Sequence, residues 1–188
     1  MNKTKIFLSD NAYNLLNPGA VTLISVGDGK SDNLFALTWN MPISKSPGMM
    51  AILSDKNNYS YQFIKRTGEF GVNIPSLEIA EAVLGCGRTT GRKVSDKFSR
   101  FGLTRQPSEN IKAPLVLEAV GNLECRVNRI IDVEGSALII AEIVAAMVAK
   151  AHYKEGGWHY KNGLALLHHI TANRFTTSNF QIDVELKK

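Results

Sequence analysis

The chain has few cysteines and no apolar stretch long enough to cross a membrane. Cys86 and Cys125 are its only cysteines and form no CxxC pair, which argues against a disulfide framework or a zinc site. The longest apolar run, residues 137–149, is interrupted by Glu142 and falls short of the roughly 20 residues of a membrane span. Residues 1–10 lack the apolar core that a signal peptide needs. We therefore expect a cytoplasmic protein with reduced thiols and no membrane association.

The sequence also lacks the short motifs that mark common catalytic and nucleotide-binding sites. It has no GxSxG turn, no GxGxxG and no Walker loop ending in GKS or GKT. Its four histidines do not combine with carboxylates or cysteines at metal-ligand spacing; they are His152, His159, His168 and His169. We predict no metal, and no residue is assigned as a catalytic acid, base or nucleophile.

Charge is in modest positive excess, with 22 Lys and Arg against 17 Asp and Glu, a net charge of +5. A net positive charge is compatible with binding to nucleic acid, to an anionic membrane surface or to an anionic small molecule. The basic residues are scattered, except for a cluster in residues 88–100 that contains Arg92, Lys93 and Lys97. Nucleic-acid binders more often carry a long basic stripe with interleaved aromatics. We therefore predict a phosphate-bearing small molecule as the partner, and no nucleic acid.

Composition and length predict one globular domain, residues 1–188. Hydrophobic residues make up 44% of the chain and charged residues 21%, which is ordinary for a globular protein. No internal repeat, low-complexity tract or linker divides the sequence.

Hydrophobic patterning in the first half predicts short strands and two helices. Apolar runs bounded by turn residues predict strands at 20–26, 33–38, 49–53 and 69–74. Asn57 and Asn58 can cap a helix over residues 59–66, which Gly68 ends. Ser76 starts a second helix of about nine residues. Its predicted apolar face consists of Leu77, Ala80, Val83 and Leu84.

The second half carries longer strands. From Leu117 to Asn128 the odd positions are small or apolar and the even positions, apart from Val120, are polar, which predicts one buried face and one wet or interface face. Residues 137–149 are apolar on both faces, as in a strand buried on both sides or a buried helix. Long strands, short turns and few helices favour a mainly β, closed or nearly closed antiparallel barrel over a doubly wound sheet.

The first stretch with chemical potential is residues 33–47. Thr38 and Asn40 can hydrogen-bond the edge of a heteroaromatic ring, and Trp39 offers a flat face for such a ring. The alternative is that Trp39 is a core or interface aromatic.

The second stretch, residues 54–61, ends a strand and opens a helix. The positive end of the helix dipole and free backbone N–H groups would lie beside Asn58, Tyr59 and Ser60, as in a phosphate site. A plain helix cap is the alternative.

The third stretch, residues 85–101, is rich in glycine, hydroxyl and basic side chains that can hold a phosphate. A solvated basic loop is the alternative. Cys86 lies between two glycines near basic residues, where a thiol pKa could fall, but we favour a small buried residue. Cys125 is expected in the core.

Taken in order, these stretches resemble the flavin reductase-like family of FMN-binding split barrels, in its flavoredoxin-like branch. The residues that carry the resemblance are Asn33, Thr38-Trp39, Pro42 to Pro47, Ser60, Phe70 to Pro75, Thr90-Gly91-Arg92, Asp96-Lys97-Phe98, Ala113-Pro114 and Leu123-Glu124-Cys125. They cover about residues 12–145. Two departures exist: residues 133–137 read VEGSA, without the histidine of many relatives, and the segment from Arg92 to Asp96 is one residue longer than in the shorter variants.

The resemblance implies a split β-barrel (a Greek-key antiparallel barrel with a few short helices) that binds FMN. The phosphate would lie near Ser60, Arg92, Lys93 and Lys97, and the isoalloxazine by Asn33, Thr38, Trp39 and Asn40. The full set of predicted cofactor-binding residues is Asn33, Thr38, Trp39, Asn40, Ser54, Tyr59, Ser60, Arg92, Lys93, Lys97 and Phe98.

The resemblance also implies a function. Electrons would pass from NAD(P)H or a redox protein through FMN to an acceptor, in a homodimer with FMN near the subunit interface. One alternative is an electron carrier that does not oxidise nicotinamide. Another is a non-enzymatic barrel for a different ligand, such as haem or a nucleic acid.

Overall fold

The computed structural model describes residues 12–184, and the prediction made for residues 1–10 lies outside them. The strands are β1 (Gly19–Ala20), β2 (Thr22–Gly27), β3 (Asp32–Leu37), β4 (Asn40–Lys45), β5 (Gly48–Asp55), β6 (Glu69–Ile74), β7 (Arg105–Gln106), β8 (Leu115–Val116), β9 (Gly121–Val133), β10 (Ser136–Val148), β11 (Tyr153–Lys154), β12 (Gly157–Trp158), β13 (Leu166–Thr171) and β14 (Arg174–Ser178). The helices are α1 (Tyr59–Thr67), α2 (Ala80–Arg88) and α3 (Lys97–Arg100), with 3-10 turns at Ala12–Leu16, Leu77–Ile79 and Lys150–His152.

Seven strands form one antiparallel sheet in the order β3-β2-β6-β9-β10-β5-β4. The two edge strands, β3 and β4, follow each other in the chain and are joined only by Thr38 and Trp39. Because a two-residue link cannot span a wide gap, the end of β3 and the start of β4 lie close together, and the sheet curls round into a split barrel. The prediction of a mainly β antiparallel barrel with few helices is confirmed.

Smaller sheets complete the molecule. Strands β1, β13 and β14 form a three-stranded sheet, and β7-β8 and β11-β12 are short pairs. The predicted strand at 20–26 is divided at Val21, whose N–H donates to the carbonyl of Leu167 at 3.1 Å, in that second sheet. Within residues 12–184, no helix is long and apolar enough to cross a membrane.

Helix α1 forms as its sequence predicts. The Asn58 side chain accepts the Ser60 N–H at 3.2 Å and so caps the first turn. At the other end Gly68 adopts φ 69°, a left-handed conformation that glycine enters without strain. The helix therefore starts at the end of β5 and presents its first turn beside β3.

The predicted apolar face of helix α2 matches the buried face of the structure only in part. A 3-10 turn, Leu77–Ile79, precedes it, so Leu77 leaves the core face and is 55% exposed. The buried residues are Ala82, Val83 and Cys86, which follow one another at helical spacing. Of the predicted apolar face, Val83 is buried and Ala80 packs against the same cluster, whereas Leu84 is half-buried and Leu77 is exposed, because a 3-10 turn takes the place of the first helical turn.

Strand β9 buries two residues that were predicted to be wet. Asn122 donates to the side-chain oxygen of Asn73 at 2.9 Å and to the carbonyl of Val116 at 3.0 Å. Glu124 accepts the N–H of Glu109 at 2.8 Å. Both side chains can be buried because they hydrogen-bond neighbouring segments, Asn122 to strands β6 and β8 and Glu124 to the loop before β8, and alternation along β9 alone cannot reveal such partners.

Strand β10 was predicted to be buried on both faces, and this is wrong. Ala137, Ile139 and Ala141 point into the barrel, whereas Leu138 and Ile140 on the outer face are only half-buried. No second layer packs on that outer face within the described part of the chain. The segment is a strand, which excludes the alternative of a buried helix.

Two hydrophobic clusters flank strand β2. One fills the barrel and includes Ile24, Phe70 and Ile139. The other lies between the barrel wall and helices α2 and α3 and includes Leu23 and Phe98. This second cluster fixes the two helices against β2 and β3, and so positions the loop between them.

Candidate functional site

The predicted site residues divide between two cavities. The first, of about 610 Å³, lies between the start of α1 and the loop that follows α2. We call it the basic cup: its walls are Asn57–Tyr59 and Gly87–Val94, with Asn33 beside them. Of the eleven predicted residues it gathers Asn33, Tyr59, Arg92, Lys93 and Lys97.

Arg92 links the loop to the start of helix α1. Its Nη1 donates to the carbonyl of Asn57 at 3.3 Å, and its guanidinium lies 5.8 Å from the centre of the Tyr59 ring. The side chain is exposed, so its other N–H groups can turn to a ligand. Lys93 is also exposed on the same loop, which makes this wall of the cup positive.

Helix α1 contributes to the cup mainly through the positive end of its dipole, because its first backbone N–H groups are largely used. The N–H of Ser60 goes to the Asn58 side chain, and the N–H of Tyr61 goes to the Asn58 carbonyl at 3.1 Å. The first turn therefore has fewer free donors than the sequence suggested, while its positive end still faces the cup. Asp55 also lines the cup, but its exposed carboxylate accepts the N–H of Asn57 at 2.7 Å.

Gly91 allows the loop to lie directly on its neighbours. A Cβ at this position would be 2.3 Å from Cδ1 of Tyr59 and 2.8 Å from Oδ1 of Asn33, both closer than side-chain carbons approach. Glycine here therefore sets the distance between the loop and the opposite wall of the cup.

Asn33 brings an unpaired acceptor to the cup. The residue is 2% exposed, and its Nδ2 donates to Oγ of Ser60 at 2.6 Å. Its Oδ1 is buried and has no hydrogen-bond partner among residues 12–184. Buried polar atoms are nearly always paired, so this oxygen is available to a donor from a bound molecule.

Lys97 and Phe98 are placed differently from the sequence expectation. The Lys97 ammonium is 2% exposed and donates to the carbonyls of Leu34 at 2.6 Å, Cys86 at 3.0 Å and Thr89 at 2.6 Å. Since an ammonium has three N–H donors, none is left for a phosphate. Phe98 is fully buried in the cluster beneath the helices and lines none of the cavities.

Ser54 and Ser60 are buried and line neither cavity. Ser60 accepts the Asn33 amide, so it orients a residue of the cup from behind. The Ser54 hydroxyl donates to the carbonyl of Asp55 at 3.3 Å.

The second cavity, of about 520 Å³, contains Thr38, Trp39 and Asn40. We call it the Trp39 cleft, and its other walls are mostly apolar. Trp39 is 52% exposed and meets Tyr13 edge-on at 5.9 Å, so it is not a core aromatic. Asn40 donates its amide N–H to the carbonyl of Ala20 at 3.1 Å. This bond uses one of the two amide N–H groups, so the second N–H and the side-chain oxygen remain for a ligand.

Strand β3 joins the two cavities. Asn33 lies in the cup and Thr38 in the cleft, about 17 Å apart along an extended strand at roughly 3.3–3.4 Å per residue. A third cavity of about 210 Å³ shares Ala36 and Gly87 with the cup and Thr38 with the cleft. The two groups of predicted residues thus lie along one trough.

Cys86 lines the cup but is not a reactive thiol. Its side chain is fully buried, and burial raises its pKa to about 11, so it stays protonated at neutral pH. Burial likewise raises the pKa of Cys125, in the barrel core, to about 12. Among the described residues no group of three or more His, Cys, Asp or Glu side chains could hold a metal ion.

Sequence reasoning missed several lining residues of the cup, among them Phe35, Ala36 and Asn57. Phe35 and Ala36 look like ordinary strand residues, and nothing in the sequence marks them. Asn57 could have been predicted, because in the sequence it directly precedes the cap residue Asn58. In the structure its carbonyl accepts a hydrogen bond from Arg92.

Comparison with known proteins gives one consistent family. The model of the flavin reductase like domain matches residues 15–170. The uncharacterized protein YddH of Escherichia coli K12 is 30% identical over 177 residues, which are 92% of this chain and 93% of that protein. A ferric-chelate reductase (NAD(P)H) of Archaeoglobus fulgidus is 28% identical over 140 residues, 74% of this chain and 80% of that protein.

Solved structures share the fold. Flavoredoxin from Methanosarcina acetivorans superposes with a TM-score of 0.81 at 27% identity, covering 100% of this chain and 97% of that one. An FMN-binding domain of a flavin reductase-like enzyme from Shewanella baltica gives 0.80 at 22% identity, covering 93% of each chain. At that lower identity the likeness concerns the fold.

Proposed function

Because this chain belongs to the flavin reductase-like family, we propose that it is an FMN-dependent oxidoreductase that passes electrons from NAD(P)H, or from a redox protein, to an acceptor. FMN is the cofactor that the family and an FMN-binding neighbour of the same fold support. The observation that carries the proposal is the basic cup with the unpaired Asn33 oxygen.

The residues of the cup fit the tail of FMN. Arg92 and Lys93 supply exposed positive charge, and the first turn of α1 adds its dipole, so the cup suits a phosphate. The Asn33 oxygen needs a donor, which an ionised phosphate lacks and the hydroxyls of the ribityl chain have. If the amide were turned round, its NH₂ would face the phosphate and its oxygen would accept the Ser60 hydroxyl. Either orientation gives this ligand a partner.

The Trp39 cleft fits the ring. Its apolar walls suit a flat aromatic body, and the exposed Trp39 indole can lie against it. The Asn40 side chain has an oxygen acceptor and a second amide N–H for the edge of the ring, because the Ala20 carbonyl accepts only one of its two N–H groups. A cofactor with its phosphate in the cup would reach the cleft along β3.

The protein's part in the chemistry is binding and positioning. When bound, FMN supplies the hydride and electron transfer. Asn33 and Arg92 hold the tail, Trp39 borders the ring and excludes water from one side, and Thr38 and Asn40 hydrogen-bond its edge. We expect hydride acceptance at the flavin to need no acid–base pair from the protein.

The phosphate assignment is tested by Arg92→Ala. Removing this side chain should weaken FMN at least about tenfold and leave riboflavin, which has no phosphate, nearly unchanged. Fluorescence titration of both flavins measures the two dissociation constants. Arg100→Ala, an exposed arginine of α3 outside the cup, is the control and should bind both flavins like the wild type. Equal losses of FMN and riboflavin in Arg92→Ala would contradict the assignment.

The nicotinamide step needs its own test. The similarity to an NAD(P)H-dependent ferric-chelate reductase favours oxidation of NAD(P)H by this chain as well. Steady-state oxidation of NADH and NADPH by the FMN-loaded protein should exceed that of free FMN. Tight FMN binding without such oxidation would instead favour an electron carrier, for which the 27% identity to a flavoredoxin is the supporting observation.

The proposed functional unit is a homodimer. Exposed and half-buried apolar side chains on β4, β5, β9 and β10, with Trp39 just before β4, form a patch on the outer face of the barrel. The register places Leu138 between Leu53 and Ile131. We call it the outer patch; its residues are Trp39, Met41, Leu53, Ile131 and Leu138. Four of them also line the Trp39 cleft, so a second copy seated on the patch would cover the ring.

A further inference from the structure

Lys97 joins three segments that form the basic cup. Its ammonium holds the carbonyl of Leu34 on β3, of Cys86 in the last turn of α2, and of Thr89 at the start of the loop. Carbonyls at the end of a helix have no partner within the helix, and a cation is the donor that suits them. One side chain thus ties the loop to both the strand and the helix.

The same ammonium is a buried charge without an acidic partner. No carboxylate within the described ranges lies within ion-pair distance of Nζ, and the charge is balanced only by carbonyl dipoles. Burial lowers the pKa of Lys97, as expected for a charge taken out of water. A charge in such surroundings is weakly screened, so an anion in the adjoining cup would interact with it at longer range than with a surface lysine.

We propose that Lys97 is a positioning residue of the FMN site: without touching the phosphate, it holds the loop of the cup in place and supplies a buried positive charge that the phosphate compensates. The inference rests on the proposed binding of FMN. It replaces the direct lysine–phosphate contact that the sequence predicted. Arg92 and Lys93 contact the anion, and Lys97 keeps them where they can do so.

Lys97→Met tests the inference, because methionine keeps the apolar stem and loses the charge and all three donors. Below its melting temperature, the variant should bind FMN at least about thirtyfold more weakly, with riboflavin affected less than about threefold. In the protein without flavin, amide hydrogen exchange in residues 89–94 should become faster, because the loop has lost its tether. Lys65→Met removes an exposed lysine of α1 outside the cup and should change neither measurement.

Each other outcome overturns the inference in a recognisable way. A selective loss of FMN with unchanged exchange in the loop would overturn the tether, because it would leave only the charge of Lys97 as the cause of the loss. A lower melting temperature with an unchanged ratio of FMN to riboflavin affinity would indicate a purely structural lysine. If the wild type bound no FMN, the proposed function would fail before this inference was reached.

A crystal structure of the wild-type protein with FMN keeps the inference testable if Lys97→Met does not fold. Nζ should retain its three carbonyl partners and lie beyond hydrogen-bond distance, about 3.2 Å, of every phosphate oxygen. A phosphate oxygen bonded to Nζ would overturn it.

Discussion

At the residue scale, the cup depends on the absence of a side chain at Gly91. The loop lies so close to Tyr59 and Asn33 that even a methyl group would collide with both. The backbone angle here is not in the left-handed region, so the requirement is space and not conformation. A side chain at position 91 would therefore change the width of the cup.

Gly91→Ala should open the cup. The methyl group must push the loop away from Tyr59, so we expect FMN to bind about tenfold more weakly, a cost near 1.4 kcal/mol. Fluorescence titration of FMN measures this change. Gly48→Ala is the matched control, because a Cβ there meets no atom within 4 Å, and it should bind FMN like the wild type. Unchanged FMN affinity in Gly91→Ala would show that the ligand does not use this wall of the cup.

Several residue assignments could be predicted from the sequence, and the reasons for the others are physical. Arg92 and Lys93 face the cup as predicted, because exposed cations on a glycine-rich loop have little else to bind. Lys97 has the same composition signal but points inward, since the loop carbonyls around it need a donor. Tertiary contacts decide which of these three cations points inward, and local composition does not predict it.

At the scale of elements, the sequence predicts where strands and helices lie better than it predicts which of their faces are buried. The strand at 69–74 and the helix from Tyr59 to the Gly68 cap form as predicted, because alternation and caps act locally. Strand β10 was read as buried on both faces because its residues are apolar. Its outer face lacks a covering layer in the described chain, and composition cannot say what covers a strand.

The whole barrel was predictable for a different reason. No single strand signals closure, but long strands with short turns leave few alternatives to an antiparallel barrel. The step that the sequence does not show is the meeting of β3 and β4 across Thr38 and Trp39. Because β3 and β4 are joined there, the Trp39 cleft lies next to the outer patch.

At the scale of the whole molecule, the outer patch predicts association. Sedimentation velocity of the wild type should show a dimer at micromolar concentration, and Ile131→Glu should shift it to monomer, because a charge on the patch would be buried without a partner. Val148→Glu is the control: Val148 is 37% exposed, like Ile131, but lies at the far end of β10. It should leave the dimer intact.

The dimer prediction has a second readout in the indole of Trp39. If a second copy covers the patch, Trp39 emission should move to shorter wavelength as the protein concentration rises, measured in a Trp158→Phe background because Trp158 is the other tryptophan. A monomer at all concentrations, with Trp39 emission constant, would contradict the assignment of the patch.

The central claim is that this chain holds the phosphate of a flavin in the basic cup, and competition between ligands tests it most directly. Purified protein stripped of flavin should bind FMN with a dissociation constant at least about tenfold below that of riboflavin, and inorganic phosphate should weaken FMN while leaving riboflavin unchanged. Equal affinity for the two flavins, or no binding of either, would contradict the account.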